Sequence, residues 1–244
     1  MRQLRHAAVL GGSSNYYHWL IDHLPRMALI EPGEDRILIV NRPISAVQRE
    51  ALGELGFPPD RLLPIEPDEC VEVDDLLLPS LMSRSSLLHP EALAWLRRKF
   101  LPVAPTATAA RIYVSRSKAL KRRLLDEDAV IGMLRRHGFA VIHAEDLSFR
   151  RQVATFSSAQ VIVAPHGAAL SNLAFASSGS QVIEIDAEGS RRSFFAILAK
   201  MTGAHHQRVS ADPIAPSALQ DTDLVLGEHG LARLQTALAS VCPD

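Results

Sequence analysis

Val161-Ile162-Val163-Ala164-Pro165-His166-Gly167-Ala168-Ala169-Leu170-Ser171-Asn172 is the stretch from which the fold of this chain is read. β-Branched and small apolar residues run up to Pro165, which predicts a buried strand. His166 and Gly167 form a turn, and Ala168 to Phe175 has helical spacing. A strand, a tight turn and a helix start expose backbone N–H groups to anything placed at the turn. Small residues let that ligand approach, no carboxylate repels it, and one imidazole is at hand. Those are the properties of a phosphate site. A plain strand-to-helix connection of an α/β protein has the same outline, so the rest of the chain has to decide.

Working outward, strand and helix signals alternate on both sides. Upstream, Ala7 to Leu10 is a short strand ending at Gly11-Gly12, and Ser13 or Ser14 can cap a following helix. That helix, Asn15 to about Ile30, puts Tyr17, Leu20, Ile21 and Leu24 on one face and Asn15, His18 and Asp22 on the other; Arg26 continues the polar line. Pro25 kinks the helix or ends it. Arg36 to Asn41 is a buried strand, Ser45 to Leu55 a helix closed by Gly56, and Arg61–Ile65 and Val71–Leu78 are further strands. Ser83 to Leu88 reads as a loop, and Pro90 opens a helix to about Phe100. Downstream of a proline-containing stretch come the strand Ile112–Val114, a helix from Glu127 to His137 capped by Asp126, and the strand Phe139–Ile142. A helix from Ser148 to Phe156, the strand Gln181–Ile185, a helix from Ser190 to Thr202, a last strand His206–Ser210 and a helix Leu231–Val241 follow.

This pattern predicts an α/β fold of two Rossmann-like halves. The expected divisions are an N-terminal domain over 1–101, a linker over 102–110, a second domain over 111–225 and a C-terminal helix over 226–244. Composition is that of a soluble globular protein: 244 residues, 47% hydrophobic, 22% charged, net charge −1. No nucleic-acid partner is expected from that balance. Cys70 and Cys242 lack metal-ligand spacing. The first residues are too briefly apolar for a signal peptide, and no run is long enough to span a bilayer, so a cytoplasmic location is expected.

Chemistry-bearing residues gather at strand ends, where open α/β sheets hold their ligands. Ser115, Arg116 and Lys118 follow the strand Ile112–Val114, and Arg116 can grip phosphate oxygens in a bidentate fork. Lys121 and Arg122 fit a solvated face. Glu184 lies inside an apolar strand and needs either an arginine or the hydroxyls of a ligand. His18 and Asp22, one turn apart, suit a general base with a tuning partner; half a metal site is the alternative, but no third ligand follows at a usable spacing. Asp221-Thr222-Asp223 spells an acidic triplet in a polar loop and is taken as incidental. Asp126-Glu127-Asp128 suits a helix start.

Taken together, Asn15-Tyr16-Tyr17-His18-Trp19-Leu20-Ile21-Asp22 with Leu24-Pro25-Arg26, Tyr113-Val114-Ser115-Arg116, Arg123 with Asp126-Glu127, Glu145 to Phe149 with Gln152, His166 to Asn172 and Val182-Ile183-Glu184 resemble glycosyltransferase family 61. The resemblance spans residues 13–186. That family includes plant xylosyl- and arabinosyltransferases, animal O-linked N-acetylglucosaminyltransferases and bacterial proteins linked to capsular polysaccharide. It implies a GT-B fold, with two Rossmann-like domains facing a cleft and the donor bound mainly by the second. It also implies a hexosyl- or pentosyltransferase that inverts the anomeric carbon without metal or other cofactor. The implied partners are a nucleotide-sugar donor, with UDP the expected carrier, and a glycan or lipid-linked saccharide acceptor. A lipid-linked acceptor would bring the protein to the inner face of the membrane.

On this chain the resemblance places the diphosphate on Arg116, His166, Gly167, Ala168 and Asn172, with Ser115, Lys118 and Arg123 beside them and Glu184 near the nucleoside. It makes Asp22 or His18 the base, and Asn15 and Arg26 acceptor-side residues. The chain departs from the family at Asp126, where Asn is frequent, at Ala169, where Gly is frequent, and in a short first domain. A non-catalytic sugar-nucleotide- or glycan-binding module is the competing reading, and a sugar-nucleotide epimerase a more distant one.

Overall fold

The apolar runs assemble into two parallel sheets, each with its own core. The computed structural model describes residues 2–30, 36–84, 87–101, 109–215 and 221–242. Most of the expected linker, 102–108, lies outside them. Two compact units result, Met1–Pro102 with Ser148–Arg151 and Val103–Leu147 with Gln152–Asp244. The mixed α/β class read from the sequence is the class observed.

In the first unit, β1 (Arg2–Gly11), β2 (Ile37–Asn41), β3 (Leu62–Ile65) and β4 (Val71–Leu77) form a parallel sheet in the order β3-β2-β1-β4. β1 begins well before the short strand expected at Ala7, because its first residues pair with β4 from Arg2 opposite Val71 onward. Ala7, Ile39 and Leu63 centre one face of this sheet. The expected loop at Ser83–Leu88 contains a small antiparallel pairing of β5 (Ser83–Arg84) with β6 (Leu87–Leu88).

The single helix expected over Asn15–Ile30 is three short pieces. One α-turn, α1 (Tyr16–His18), passes into a π-helix, Trp19–His23, and then a 3₁₀ helix, Leu24–Leu29, with Pro25 in its first turn. Asn15, not Ser13 or Ser14, is the N-cap, its side chain accepting from Tyr17 N at 2.9 Å. The wider π-turn keeps Trp19, Leu20 and Ile21 buried despite the proline that follows. α2 (Ala46–Glu54) carries a capping box of Ser45 and Gln48. α3 (Pro90–Phe100) starts from His89.

In the second unit, β7 (Arg111–Val114), β8 (Ala140–Ile142), β9 (Val161–Pro165), β10 (Gln181–Ala187), β11 (His205–Pro213) and β12 (Leu224–Val225) take the order β12-β11-β10-β9-β7-β8. All neighbours are parallel except β11 and β12. The helices are α4 (Glu127–Arg136), α6 (Phe194–Thr202) and α7 (Gly227–Val241), together with α5 (Phe149–Ser158) from Gln152 onward, its first residues belonging to the first unit. The segment after β9 is a 3₁₀ helix, Ala168–Phe175, rather than the α-helix its spacing suggested. Every residue from Leu170 to Phe175 is buried there, so no exposed stripe selects the 3.6-residue period. None of the helices among the described residues is long and apolar enough to cross a membrane.

Two helix starts differ from expectation. Glu50 of α2 accepts from Phe149 N at 2.7 Å and Arg150 N at 3.2 Å, leaving Ser148 the third amide, Arg151 N. Phe149 is fully buried against Trp19 and Phe100 within the first unit. Asp126 does not cap α4. Its carboxylate accepts from Leu226 N and Gly227 N, at 2.9–3.1 Å, and so caps α7 from a distant part of the chain. An asparagine would present the same acceptor oxygen.

Asp126→Ala should therefore lower the unfolding free energy by about 1 kcal/mol, as for a lost N-cap, and Asp126→Asn by far less. Urea titration of the two variants followed by far-UV circular dichroism measures this.

Candidate active site

Chain order in the second sheet reverses at β7. The chain leaves β7 for β8 on one side and returns to place β9 on the other. Such a switch point opens a crevice at the carboxyl ends of the two central strands, the usual ligand position of an open α/β sheet. Ser115 and Arg116 follow β7 there, and His166 and Gly167 follow β9. The structure thus brings together residues that lie fifty apart in sequence.

Buried Glu127 sets the path of the loop after β7. Its Oε1 accepts from Tyr113 Oη at 2.8 Å and from Arg116 N at 3.2 Å. Burial, followed by the Glu127 charge, pushes the Tyr113 phenol well above its ordinary range, so it stays a donor. Two carbonyls hold the Arg116 guanidinium, Lys121 O on Nη2 at 2.9 Å and Arg122 O on Nε at 3.2 Å. Its Nη1 lies across Gly167: a Cβ there would stand 2.0 Å from Nη1. Gly167 is needed for this close approach and not for its backbone angle, since its φ of −175° is ordinary extended chain. Burial and then the Arg122 charge lower the Arg116 pKa to about 10, so it remains a cation at neutral pH.

Glu184 has one of its expected partners, an arginine, at ion-pair distance, with Arg208 Nη2 3.8 Å from Oε2, but its hydrogen bonds are made to histidines. Its Oε1 meets His166 Nδ1, and its Oε2 meets His206 Nε2 at 2.8 Å. Burial alone would raise its pKa, but the two histidines outweigh that and hold it at about 2. An ionised carboxylate only accepts, so both rings donate to it. His166 thereby keeps Nδ1 protonated and turns Nε2 away from Glu184, with its ring packed on Phe195 at 5.0 Å. Strand register assembles the group, since β11 sets His206 opposite Val182 and Arg208 opposite Glu184.

Asp186, on the same face, accepts from Arg192 Nη2 at 2.8 Å, and Arg208 Nη2 lies 3.8 Å from Glu184 and 3.9 Å from Asp186. His166, Glu184 and Asp186 offer metal-ligand atoms within 4.8 Å of one another. Here, however, the Arg192 and Arg208 guanidiniums already supply positive charge to the pair of buried carboxylates, and two imidazole N–H groups occupy the Glu184 oxygens.

The other expected donor residues divide. Ser115 is buried and accepts from Ser117 N, and Ser117 Oγ reaches His143 Nε2 at 2.9 Å. Lys118 is half-exposed and paired with Asp146. Arg123 is on the surface, clamped by Asp223 at 2.6 Å, while Lys121 pairs with Asp221 at 2.9 Å. The acidic triplet thus ties down the basic loop. Asn172 is fully buried, its Nδ2 donating to Gln152 Oε1 at 2.8 Å and Ala169 O at 3.1 Å, so it braces the 3₁₀ turn. Ala168 and Ala169 stand partly exposed at the start of that turn. Sequence reasoning missed His206, Arg192 and Arg208, whose role depends on strand pairing. It also missed that Glu127, read from its residue type as a helix-start residue, holds Tyr113 and the Arg116 backbone.

In the first unit, His18 Nδ1 meets Asp22 Oδ2 at 2.8 Å, with side-chain exposures of 44% and 11%. Asp22 Oδ1 is buried without a hydrogen-bond partner among the described residues. His18 is therefore the accessible member of the pair and Asp22 the group behind it. Burial and the Asp22 charge raise the adjacent Tyr17 to about 12. Arg26 is bound by backbone, with Nη1 on Leu10 O at 2.6 Å and Nε on Pro79 O at 2.9 Å, and Asn15 is occupied as a helix cap. A polar crevice of about 270 Å³ opens at the carboxyl ends of β1 and β2, between Gly11–Ser14, Asn41, Arg42 and Gln48.

Because folding depresses the Glu184 pKa from 4.5 to about 2, its stabilisation is complete above pH 4.5 and is lost as pH falls from there toward 2. Glu184→Gln should lower Tm at pH 7 and flatten the decline of Tm across that window. Thermal unfolding as a function of pH for both proteins checks this.

The search of curated proteins returns no match. The family model described as Glycosyltransferase 61 matches residues 16–183, a span that takes in His18, Asp22, Arg116, His166 and Gly167. With that match over well more than half of its length, the chain belongs to the glycosyltransferase 61 family.

Proposed function

We propose that the chain is an inverting, metal-independent glycosyltransferase. It transfers a hexose or pentose from a nucleotide sugar, with UDP the expected carrier, to a hydroxyl of a glycan or lipid-linked saccharide. We read its two units as the domains of a GT-B enzyme, the second holding the donor. The observation that carries this reading is the anchored Arg116 guanidinium lying over Gly167 at the switch point of the second sheet.

In this reading the diphosphate lies against Arg116 and the turn His166–Ala168. His18 takes the proton of the acceptor hydroxyl, Asp22 holds and charges the ring, and the freed oxygen attacks the anomeric carbon. The bond from that carbon to the diphosphate oxygen breaks, its electron pair passing to the diphosphate. Negative charge on the leaving group then grows, and Arg116 acts most strongly at that moment. Arg116 and the turn need no enzymatic nucleophile. His166, with Nδ1 committed to Glu184, serves as a contact at the leaving group.

UDP-sugars should raise Tm without added metal. Arg116→Ala should abolish that rise and lower kcat by ~10²–10³-fold, the loss typical of one donor to a developing anion. Gly167→Ala, which displaces the guanidinium, should weaken binding in the same direction. His18→Ala and Asp22→Asn should keep the thermal shift and lose ~10²–10⁴-fold of turnover, the usual share of general base catalysis. Thermal shift and nucleotide release across a panel of UDP-sugars, with glycan acceptor extract, read these outcomes. Binding without release across the panel would assign the chain to the non-catalytic reading instead.

A further inference from the structure

His206 lies past the last residue of the family match and makes one of the two hydrogen bonds on Glu184. The group crosses three neighbouring strands: His206 on β11, Glu184 on β10 and His166 just after β9. The neighbouring charges are otherwise placed. Arg208 Nη2 stands 3.8 Å from Glu184 Oε2, and its guanidinium donates to Ser190 O at 3.0 Å and to Arg192 O. Arg192 donates to Asp186 Oδ1 at 2.8 Å. Asp186 Oδ2 is buried without a hydrogen-bond partner among the described residues, 3.8 Å from His166 Nδ1, and also favours a proton on that nitrogen. α6 packs an uncharged ring, Phe195, against the imidazole. Burial is the largest influence on the Glu184 pKa and raises it, and the hydrogen bonds from His166 and His206 bring it down to about 2. Loss of one of them moves it back upward. A protonated Glu184 would donate to His166 Nδ1, and the ring would then carry its own proton on Nε2.

We infer that His206 is a positioning residue that acts through Glu184. It keeps the carboxylate an acceptor for His166 Nδ1, so His166 meets its ligand with a bare Nε2. A bare imidazole nitrogen accepts a hydrogen bond and has no proton to give a phosphate oxygen. His166 therefore takes a hydroxyl of the nucleotide sugar, and the phosphates fall to Arg116 and the backbone of the turn. The choice of ligand rests on the donor-site reading above; the state of the ring does not.

The test compares wild type with His206→Leu, which removes the donor, and His206→Gln, whose amide can still donate. Long-range proton–nitrogen NMR spectra report the ring protons of His166, assigned with His166→Ala. Calorimetric titration of the UDP-sugar that gives the largest thermal shift reports affinity, and both are followed against pH. A UDP-sugar suits this because its diphosphate is esterified at both ends and keeps its charge on acidification. Ligand-free wild type at pH 7 should show a proton on Nδ1 and none on Nε2, and affinity should fall where Nε2 gains one. His206→Leu should move both changes to higher pH. It should bind about tenfold more weakly where wild type still has a bare Nε2, the size of one hydrogen bond. His206→Gln should follow wild type. A lower Tm in His206→Leu with both profiles unmoved overturns the inference, since a merely structural residue would show that alone. So does a proton on Nε2 of wild type at pH 7, and so does affinity that rises as Nε2 gains its proton, which makes the ring a phosphate contact. These last two outcomes are read on wild type and stand even if His206→Leu does not fold. A wild type that binds no UDP-sugar overturns the donor-site reading and the hydroxyl contact with it, and the spectra alone then decide the action of His206 on the ring.

Discussion

Glu184 sits between Ile183 and Ile185 with 1% of its surface exposed. Water does not solvate it, and its neighbours along the strand are hydrocarbon. An isolated carboxylate in such a place would take up a proton or unfold the sheet around it. Two imidazole donors, one on each oxygen, hold it ionised instead. Meeting that requirement orders much of the second unit. His206 and Arg208 must lie on the face of β11 that Glu184 and Asp186 occupy on β10, which the parallel register provides. The opposite face of β10, Ile183, Ile185 and Ala187, is then free to join the apolar core with Val209 and Ala211. His166 is drawn to the end of β9, and its ring angle is set by the carboxylate behind it. The turn at Gly167 therefore stands on a buried electrostatic network and not on loop geometry alone.

The loop after β7 is built on the same logic with a different acceptor. Glu127 fixes the Arg116 backbone, and two carbonyls fix its guanidinium. A long side chain ordinarily loses about 2 kcal/mol of rotamer freedom when it binds a ligand. Here most of that loss is met on folding, and the positively charged fork waits in place. The αL conformation at Arg122, φ +57°, costs about 1–3 kcal/mol and is part of the same arrangement. In the proposed reading, this preorganised charge stabilises the departing oxygen as the sugar bond breaks. The surface pairs Lys118–Asp146, Lys121–Asp221 and Arg123–Asp223 hold the loop's outer side and add little energy singly.

In the first unit the pairing His18–Asp22 was visible as an i, i+4 spacing, although the helix it lies on is not the one expected. His18 ends the α-turn and Asp22 lies within the π-helix that follows, and the two side chains still meet at 2.8 Å. Arg26 and Asn15 were grouped with the pair on the same polar line. The tertiary structure gives them backbone partners instead, because the 3₁₀ segment turns Arg26 toward Leu10 and Pro79. A polar line along a helix records which side chains leave the core, and whether they meet solvent, ligand or carbonyl depends on what packs above them.

The sequence by itself determined the strand runs, most helix limits, the α/β class and the ordered motifs that mark the family. These are local or periodic properties, set by side-chain shape and spacing. It also marked Arg116 and the His166–Gly167 turn, because strand ends can be read from where apolar runs stop. Only the tertiary structure decided which strand ends meet. Sheet order put β7 beside β9, and register put His206 and Arg208 beside Glu184. It decided that Asp126 caps a helix a hundred residues away, and that Lys121, Arg122 and Arg123, alike in one dimension, go to three different surroundings. The reason is physical: charge and hydrogen bonds act between neighbours in space, and strand pairing makes neighbours of residues that no periodicity in the chain connects.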